Sequence, residues 1–312
     1  QGDKNARRPP ELLTRDHVAR CINREVKAGR GTPHGGVYLD IAWIKERLPK
    51  SEEHIKRKLP SMYHQFMQLA DLDITKEPME VGPTTHYMMG GIRVDGDSQM
   101  STVPGLFAAG EAAAGLHGAN RLGGNSLSDL VVFGRRAGRY AAEFARSNGS
   151  APSFNEEQLE SVTKAALAPF ERGIAGENPY QIQYDLQDTM QELVGIVRTE
   201  SEMEEALDRI TQLEARAQRV GIGGNRQYNN GWHTAMDLSS MLIVSEAVTH
   251  AAVLRKESRG AQFREDYPNK DADWGRYNIV VKRGEFEEEM LIEKRSIPPM
   301  PEELKAVIEE MK

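Results

Sequence analysis

The stretch PGLFAAGEAAAGLHGANRLGGNSLSDLVVFGRRAG, residues 104–138, decides how the chain is read. Its apolar run Leu106 to Ala109 reads as a buried strand ending on a Gly turn, with Glu111 directly behind it. GANRLGGNS follows as a loop, and an apolar helix over 127–145 starts near Asn125 or Ser126. The first turn of a helix carries unpaired N–H groups and the positive end of the dipole, so negative charge is favoured there. Upstream, PTTHYMMGGI at 83–92 sets a second glycine pair beside His86. Paired glycines let backbone approach a ligand closely. Arg121 can fork onto a carboxylate, and His86 adds a donor whose protonation changes near neutral pH. Singly, each has a plainer reading: Gly90 and Gly91 as a turn, Arg121 as a surface charge. Together they describe an anion site beside a helix N-terminus, and the residues alone carry the argument no further.

On the N-terminal side, residues 1–10 read as a loop and 14–28 as a helix. Thr14 is its expected N-cap, and Val18, Cys21, Ile22 and Val26 recur at helical spacing. Val37 to Ile41 alternates like a short strand, and 51–70 is again helical in pattern. Past a linker at 147–153, the pattern turns to long amphipathic helices, with Met203, Leu207, Ile210, Leu213 and Ala217 on one face. Met236, Leu238, Met241, Leu242, Ser245 and Val248 begin another, predicted to run to about Glu257. An antiparallel helical bundle follows from this. The tail has a strand-like run, Tyr277 to Lys282, then a Pro-rich segment and a final helix. GIGGN at 221–225 looks superficially like a dinucleotide loop, but it follows a helix and has Arg226 where the third glycine belongs, so a helix end and turn is expected. His34 and His54 read as loop and surface residues, and His233 beside Trp232 as packing or a helix start.

The bulk numbers bound the function. At 312 residues the chain is long enough for about two domains, and 39% hydrophobic with 28% charged residues is ordinary soluble composition. A net charge of −7 without a basic block points away from nucleic acid. The start, QGDKNARRPP, lacks the apolar core of a signal peptide, and no stretch is expected to reach the ~20 apolar residues of a bilayer span. Cys21 stands alone, so no disulfide forms within the chain, no multi-cysteine metal or iron–sulfur site is possible, and a reducing compartment is the simplest reading. No metal site is expected.

PTTHYMMGGIRVD (83–95) and the 104–138 stretch closely resemble the flavoprotein subunit of succinate dehydrogenase and fumarate reductase. The resemblance extends to LLTRDHVARCINREVKAGRG (12–31) and ESRGAQFREDYP (257–268), and so spans most of the chain. It implies an α/β plus α protein in four parts: the remainder of a capping domain at 1–80, the closing segment of a Rossmann-like FAD-binding domain at 81–147, a helical bundle domain at 152–258 and a C-terminal domain at 259–312. Residue 1 would fall inside the capping domain. The chain begins with Gln, and no opening GxGxxG segment precedes the closing one, so an incomplete chain that holds FAD weakly or not at all by itself is expected.

The same resemblance assigns roles. Arg15 in LLTRDHV matches the arginine that shuttles the proton, although from spacing alone Arg15 beside Asp16 reads as a capping-region ion pair. His86 and Arg121 match the pair that holds the substrate carboxylates. Glu111 matches the acidic residue on the flavin's sugar-like chain, and Ser126 and Leu127 the helix start that meets the flavin ring. Gln262 departs from the family's usual histidine in SRGAH. The implied activity is oxidation of succinate to fumarate by hydride transfer to FAD, with electrons passed to an iron–sulfur subunit in a complex that also has membrane anchor subunits. The expected location is the cytoplasmic, inner face of the cell membrane, or the matrix side in a mitochondrion. The alternatives are fumarate reductase, an L-aspartate oxidase relative, and a non-catalytic truncated piece.

Overall fold

The computed structural model describes residues 15–149, 153–285 and 289–310. The expected Thr14 cap, the loop at 1–10 and part of the 147–153 linker lie outside them. The chain is a mixture of helix and antiparallel sheet and divides into two compact units, Gln1–His86 and Tyr87–Lys312.

In the first unit, α1 (Arg15–Glu25) runs into a wide helical turn at Val26–Arg30 that kinks at Gly29. β1 (Val37–Leu39) pairs antiparallel with β2 (Met79–Val81), Val37 opposite Val81. The helix expected over 51–70 is two helices, α2 (Ser51–Lys58) and α3 (Pro60–Ala70). Pro60 is the cause: it has no N–H to continue α2, and its fixed φ suits the first turn of α3. Ile55, Ile74 and Met79 form the small core, covered by Ile41, Ile44, Met62, Tyr63 and Phe66.

In the second unit, residues 87–124 hold isolated bridges and no strand. Ile92 pairs with Ala113, Val94 with Ser101 and Met100 with Phe107. The buried strand expected at Leu106–Ala109 is therefore corrected: Leu106 is exposed, only Ala108 of the run is buried, and a single bridge at Phe107 ties it down. Its apolar composition reflects small residues under a neighbouring helix, with Phe107 edge-on to Phe144 at 6.2 Å, rather than a sheet interior. That helix is α4 (Asn125–Asn148), which begins where the sequence placed it.

Four helices follow: α5 (Glu156–Arg172), α6 (Pro179–Leu193), α7 (Glu200–Ala217) and α8 (Asn230–Leu254). Each has a side-chain N-cap. Asn155 accepts from Gln158 N–H, Asn178 from Tyr180, Thr199 from Glu202 and Asn229 from Trp232. Ile182 and Leu186 of α6, Ile210 and Leu213 of α7, and Leu238 and Leu242 of α8 share one core, each pair at helical spacing. A fully buried side chain of this kind contributes about 1.5–3 kcal/mol, so this seam holds the unit together.

By length and composition α8 is apolar enough to cross a membrane, which corrects the expectation that no stretch would be. Leu238, Leu242, Thr249 and Ala252 are nevertheless buried inside the unit, the two leucines in the core shared with α6 and α7. GIGGN lies past a helix end and turn, as expected, although the cap itself is Gln218. α7 ends at Ala217, and the glycines beyond it mark a crossing of two loops: a Cβ on Gly221 would overlap the Gly173 carbonyl oxygen. Past the bundle, β3 (Tyr277–Arg283) pairs antiparallel with β4 (Met290–Ser296), a strand the sequence did not announce, and α9 (Glu302–Glu310) closes the described residues.

Candidate functional site

The second unit builds its site around the 117–129 segment. Gly124 takes a left-handed φ of +86° and opens α4 without a side-chain cap; of the first-turn N–H groups, that of Asn125 donates to the Leu122 carbonyl at 3.3 Å. Ser126 sits half-buried in that turn, while Leu127 and Val131 are each 72% exposed. Glu111 lies on a short turn, Gly110–Ala112, and its Oε1 accepts the Met88 N–H at 3.0 Å. This ties the HYMMGG loop to the Glu111 turn, and the Ile92 N–H adds a second tie by donating to the Ala112 carbonyl at 2.8 Å.

Arg121 rests on an aromatic ring. Its guanidinium carbon lies 4.6 Å from the centre of the Tyr87 ring. Its Nε is buried and makes no hydrogen bond, and Nη1 makes only a long one, 3.4 Å, to the Leu122 carbonyl. The Tyr87 hydroxyl stands 3.4 Å from Asp129 Oδ2 and 3.1 Å from His117 Nε2, and that nitrogen lies 3.2 Å from the same carboxylate. None of Tyr87, His117 and Asp129 was singled out from the sequence. The available signal was Asp129: a carboxylate five residues into an apolar helix is costly to bury without partners, and here it is 5% exposed.

The ESRGAQFREDYP segment folds into a charge-laced loop that braces this site from behind. Glu257 is fully buried, and Arg255 and Arg259 each donate to it, at 2.6 and 2.9 Å. Burial works against that charge, but Arg259, the Asp271 N–H and Arg255 outweigh it and hold the Glu257 carboxyl below its usual range. Gln262 Oε1 accepts from Arg198 Nη1 at 2.5 Å, and burial pushes the Arg198 guanidinium down to about 10. The turn reaches the GANR loop directly, because the Ala261 N–H donates to the Ala119 carbonyl at 3.0 Å.

Gly260 makes this approach possible. Its φ is +60°, and a Cβ there would overlap the Ala119 carbonyl oxygen. Gly260→Ala is expected to lower the thermal midpoint by several degrees, since backbone strain of this kind costs about 1–3 kcal/mol. The same change should loosen the 117–124 loop, read as faster amide hydrogen exchange there. An unchanged midpoint with unchanged exchange would show that the turn does not brace the loop.

In the first unit, Arg15 opens α1 as an exposed residue, and the ion pair of that turn joins Asp16 to Arg20 at 2.9 Å. His86 is exposed and closes the unit, one residue before Tyr87. Among the other histidines, His34 pairs with Glu80 at 2.8 Å in an exposed loop, and His233 lies beside Trp232 in the first turn of α8, 6.0 Å between ring centres. Among the described residues no cluster of metal-ligating side chains forms.

The open start of α4 thus stands a few residues from Arg121, a cation that pairs with no carboxylate among the described residues. Residues 2–127 match the family described as FAD binding domain, and residues 183–306 match fumarate reductase flavoprotein C-term. The chain is 38% identical over 289 residues to the 8-methylmenaquinol:fumarate reductase flavoprotein subunit of Wolinella succinogenes, covering 89% of this chain and 46% of that protein. It is 37% identical to the succinate dehydrogenase flavoprotein subunit of Coxiella burnetii, over 88% of this chain and 48% of the relative. Among solved structures it is similar to Mycobacterium smegmatis Sdh1 in complex with UQ1, at 52% identity and a TM-score of 0.85, covering 96% of this chain and 50% of that one. The chain belongs to the succinate dehydrogenase/fumarate reductase flavoprotein family, whose cofactor is FAD, and it spans about half the length of these relatives.

Proposed function

We propose that the protein to which this chain contributes is the flavoprotein subunit of a succinate dehydrogenase, oxidising succinate to fumarate. The observation that carries the reading is Arg121, a partly buried cation held over a ring rather than by a carboxylate, a few residues from the open N-terminus of α4. Such a cation keeps its charge for an incoming carboxylate.

The residues fit a flavin. Ser126 and Leu127 at the α4 start would meet the ring, with first-turn N–H groups facing its negative edge, and Glu111 would hold the sugar-like chain. FAD, when bound, supplies the hydride acceptor. The chain's own residues bind and orient: His86 and Arg121 hold the two carboxylates, and Arg15 moves the proton. Fixing the two breaking C–H bonds in register is chiefly a matter of positioning. The reading carries the domain plan with it, namely capping remainder 1–80, closing FAD segment 81–147, bundle 152–258 and C-terminal domain 259–312. Electrons would pass to an iron–sulfur subunit, in a complex anchored on the inner face of the membrane.

Similarity to a fumarate reductase at 38% identity supports the reverse direction as a second reading. Turnover of the complete flavoprotein with succinate and an oxidising dye, against fumarate and a reducing dye, separates the two.

Arg121→Lys tests the site. Lysine keeps the charge but lacks the planar fork, so KM for succinate should rise and turnover should fall, by about tenfold or more in kcat/KM. Unchanged kinetics would remove Arg121 from the site.

A further inference from the structure

Arg121 is fixed by something other than an ion pair. Among the described residues of the second unit no carboxylate pairs with it, its Nε is buried without a hydrogen bond, and its one hydrogen bond is long. What remains is the face of Tyr87, 4.6 Å from the guanidinium carbon. A ring face attracts a cation through its quadrupole, and more strongly where water is excluded. Unlike a carboxylate, it does so without cancelling the charge.

The ring is in turn held in place. Its hydroxyl lies 3.4 Å from Asp129 Oδ2 and 3.1 Å from His117 Nε2, and its plane meets the His117 ring edge-on, at 5.4 Å between centres and 77° between planes. Burial, reinforced by the charges of Asp129 and Glu111, pushes the Tyr87 phenol up, so it keeps its proton and donates it to Asp129; the Ser126 hydroxyl beside it pulls the other way. Asp129, 5% exposed, thereby has the partners its burial demands: the phenol O–H and, in the tautomer protonated at Nε2, the imidazole N–H. Asp129 and Ser126 both belong to the start of α4. The chain of contacts Arg121–Tyr87–Asp129 therefore registers the cation to the very turn that is proposed to face the flavin.

We propose that Tyr87, clamped by Asp129 and His117, is the positioning residue for Arg121, setting the anion-binding guanidinium at a fixed place relative to the N-terminus of α4. This rests on the dicarboxylate reading above. It assigns to the tyrosine beside His86 a role separate from that of the histidine.

The test is a double-mutant cycle on the complete FAD-loaded flavoprotein, with malonate affinity measured by calorimetry and KM and kcat for succinate alongside. Tyr87→Leu removes the ring and should weaken malonate by about tenfold, a desolvated ring–cation contact's worth, raising KM in step. Tyr87→Phe keeps the ring and loses the tie to Asp129, so its loss should be clearly smaller, about threefold. The deciding measurement is the double variant: Tyr87→Leu combined with Arg121→Ala should bind malonate no more weakly than Arg121→Ala alone, because the ring acts only through the guanidinium. Additive losses, or a Tyr87→Leu protein that binds malonate normally, would overturn the proposal while leaving Arg121 in the site. If Arg121→Ala itself binds malonate normally, the dicarboxylate reading falls and the proposal with it.

Discussion

Replacing Arg15 by glutamine in the complete flavoprotein lowers kcat and kcat/KM together by about 10²–10⁴-fold, the usual contribution of a positioned proton-transfer group, with KM for succinate little changed. The expectation rests on the match of LLTRDHV to the family and on the α1 turn itself. Arg15 opens that helix exposed to solvent, while Asp16 pairs with Arg20 at 2.9 Å. Among the described residues, the ion pair of this helix start joins Arg20 to Asp16 and does not include Arg15. An arginine is a poor base at its ordinary pKa above about 12, so the role requires a tuned, closed site in the complete enzyme. Malonate affinity should survive Arg15→Gln and collapse in Arg121→Ala, which separates chemistry from binding. If Arg15 were structural only, Arg15→Gln would lower the thermal midpoint and leave turnover intact; that pattern would strike it from the catalytic residues.

The second large effect is on stability. Arg264 is completely buried and donates to Asp266 Oδ2 at 2.5 Å, to Glu200 Oε2 at 2.8 Å and to the Val253 carbonyl at 2.7 Å. Its guanidinium carbon also lies 4.7 Å from the centre of the Tyr267 ring. Arg264→Ala removes the buried centre of a cluster whose carboxylates, Glu200 and Asp266, stay partly exposed, which costs about 2–3 kcal/mol in lost charged hydrogen bonds, so a fall in thermal midpoint of several degrees is expected by scanning calorimetry. Arg264→Lys should fall between the two, since one ammonium cannot reach every acceptor.

The pH dependence follows with a definite sign. Arg264 holds the Asp266 carboxyl below its usual range, and Lys256, then Arg264, do the same for Glu200. A carboxyl depressed in the folded state contributes stability that is present above its unfolded pKa, about 4, and is lost as the pH falls through its folded value. The parent protein should lose stability on acidification below that point, and Arg264→Ala should show a flatter acid limb. Equal midpoints for parent and Arg264→Ala would mean that the cluster contributes nothing net.

Where the sequence was legible, one local rule sufficed. The start of α4 follows from the glycines and Asn125 ahead of an apolar run, and the bundle from repeats such as Met203, Ile210 and Leu213, all buried as expected. The break at Pro60 obeys an equally local rule that the amphipathic pattern on either side obscured. β4 escaped because Glu293, Lys294 and Arg295 hide its alternation; it is a strand because β3 supplies its hydrogen bonds, with Lys294 opposite Ile279. The run Leu106–Ala109 misled in the other direction, apolar yet outside any strand, with Leu106 exposed and only Ala108 buried.

The site divides along the same line. Arg121, Glu111, Ser126 and Leu127 were named from motif, and the structure brings them into one segment of the second unit. The first unit holds Arg15 and His86. Tyr87, His117 and Asp129 meet only through folding: the tyrosine stands 42 positions from the aspartate, a separation no helical or strand period encodes.

The approach of Gly260 to Ala119 has a consequence for how such chains can diverge. Two segments far apart in sequence share one van der Waals gap, with a hydrogen bond on one side of it and no room for a methyl group on the other. Neither can drift alone. An insertion or a bulkier residue in the GANR loop must be answered in the SRGAQ turn, and Gln262 stands in that turn, bonded to the buried Arg198. Substitutions at 258–264 should therefore be inherited in concert with those at 117–121, and a lesion in the distal turn should present as a binding defect.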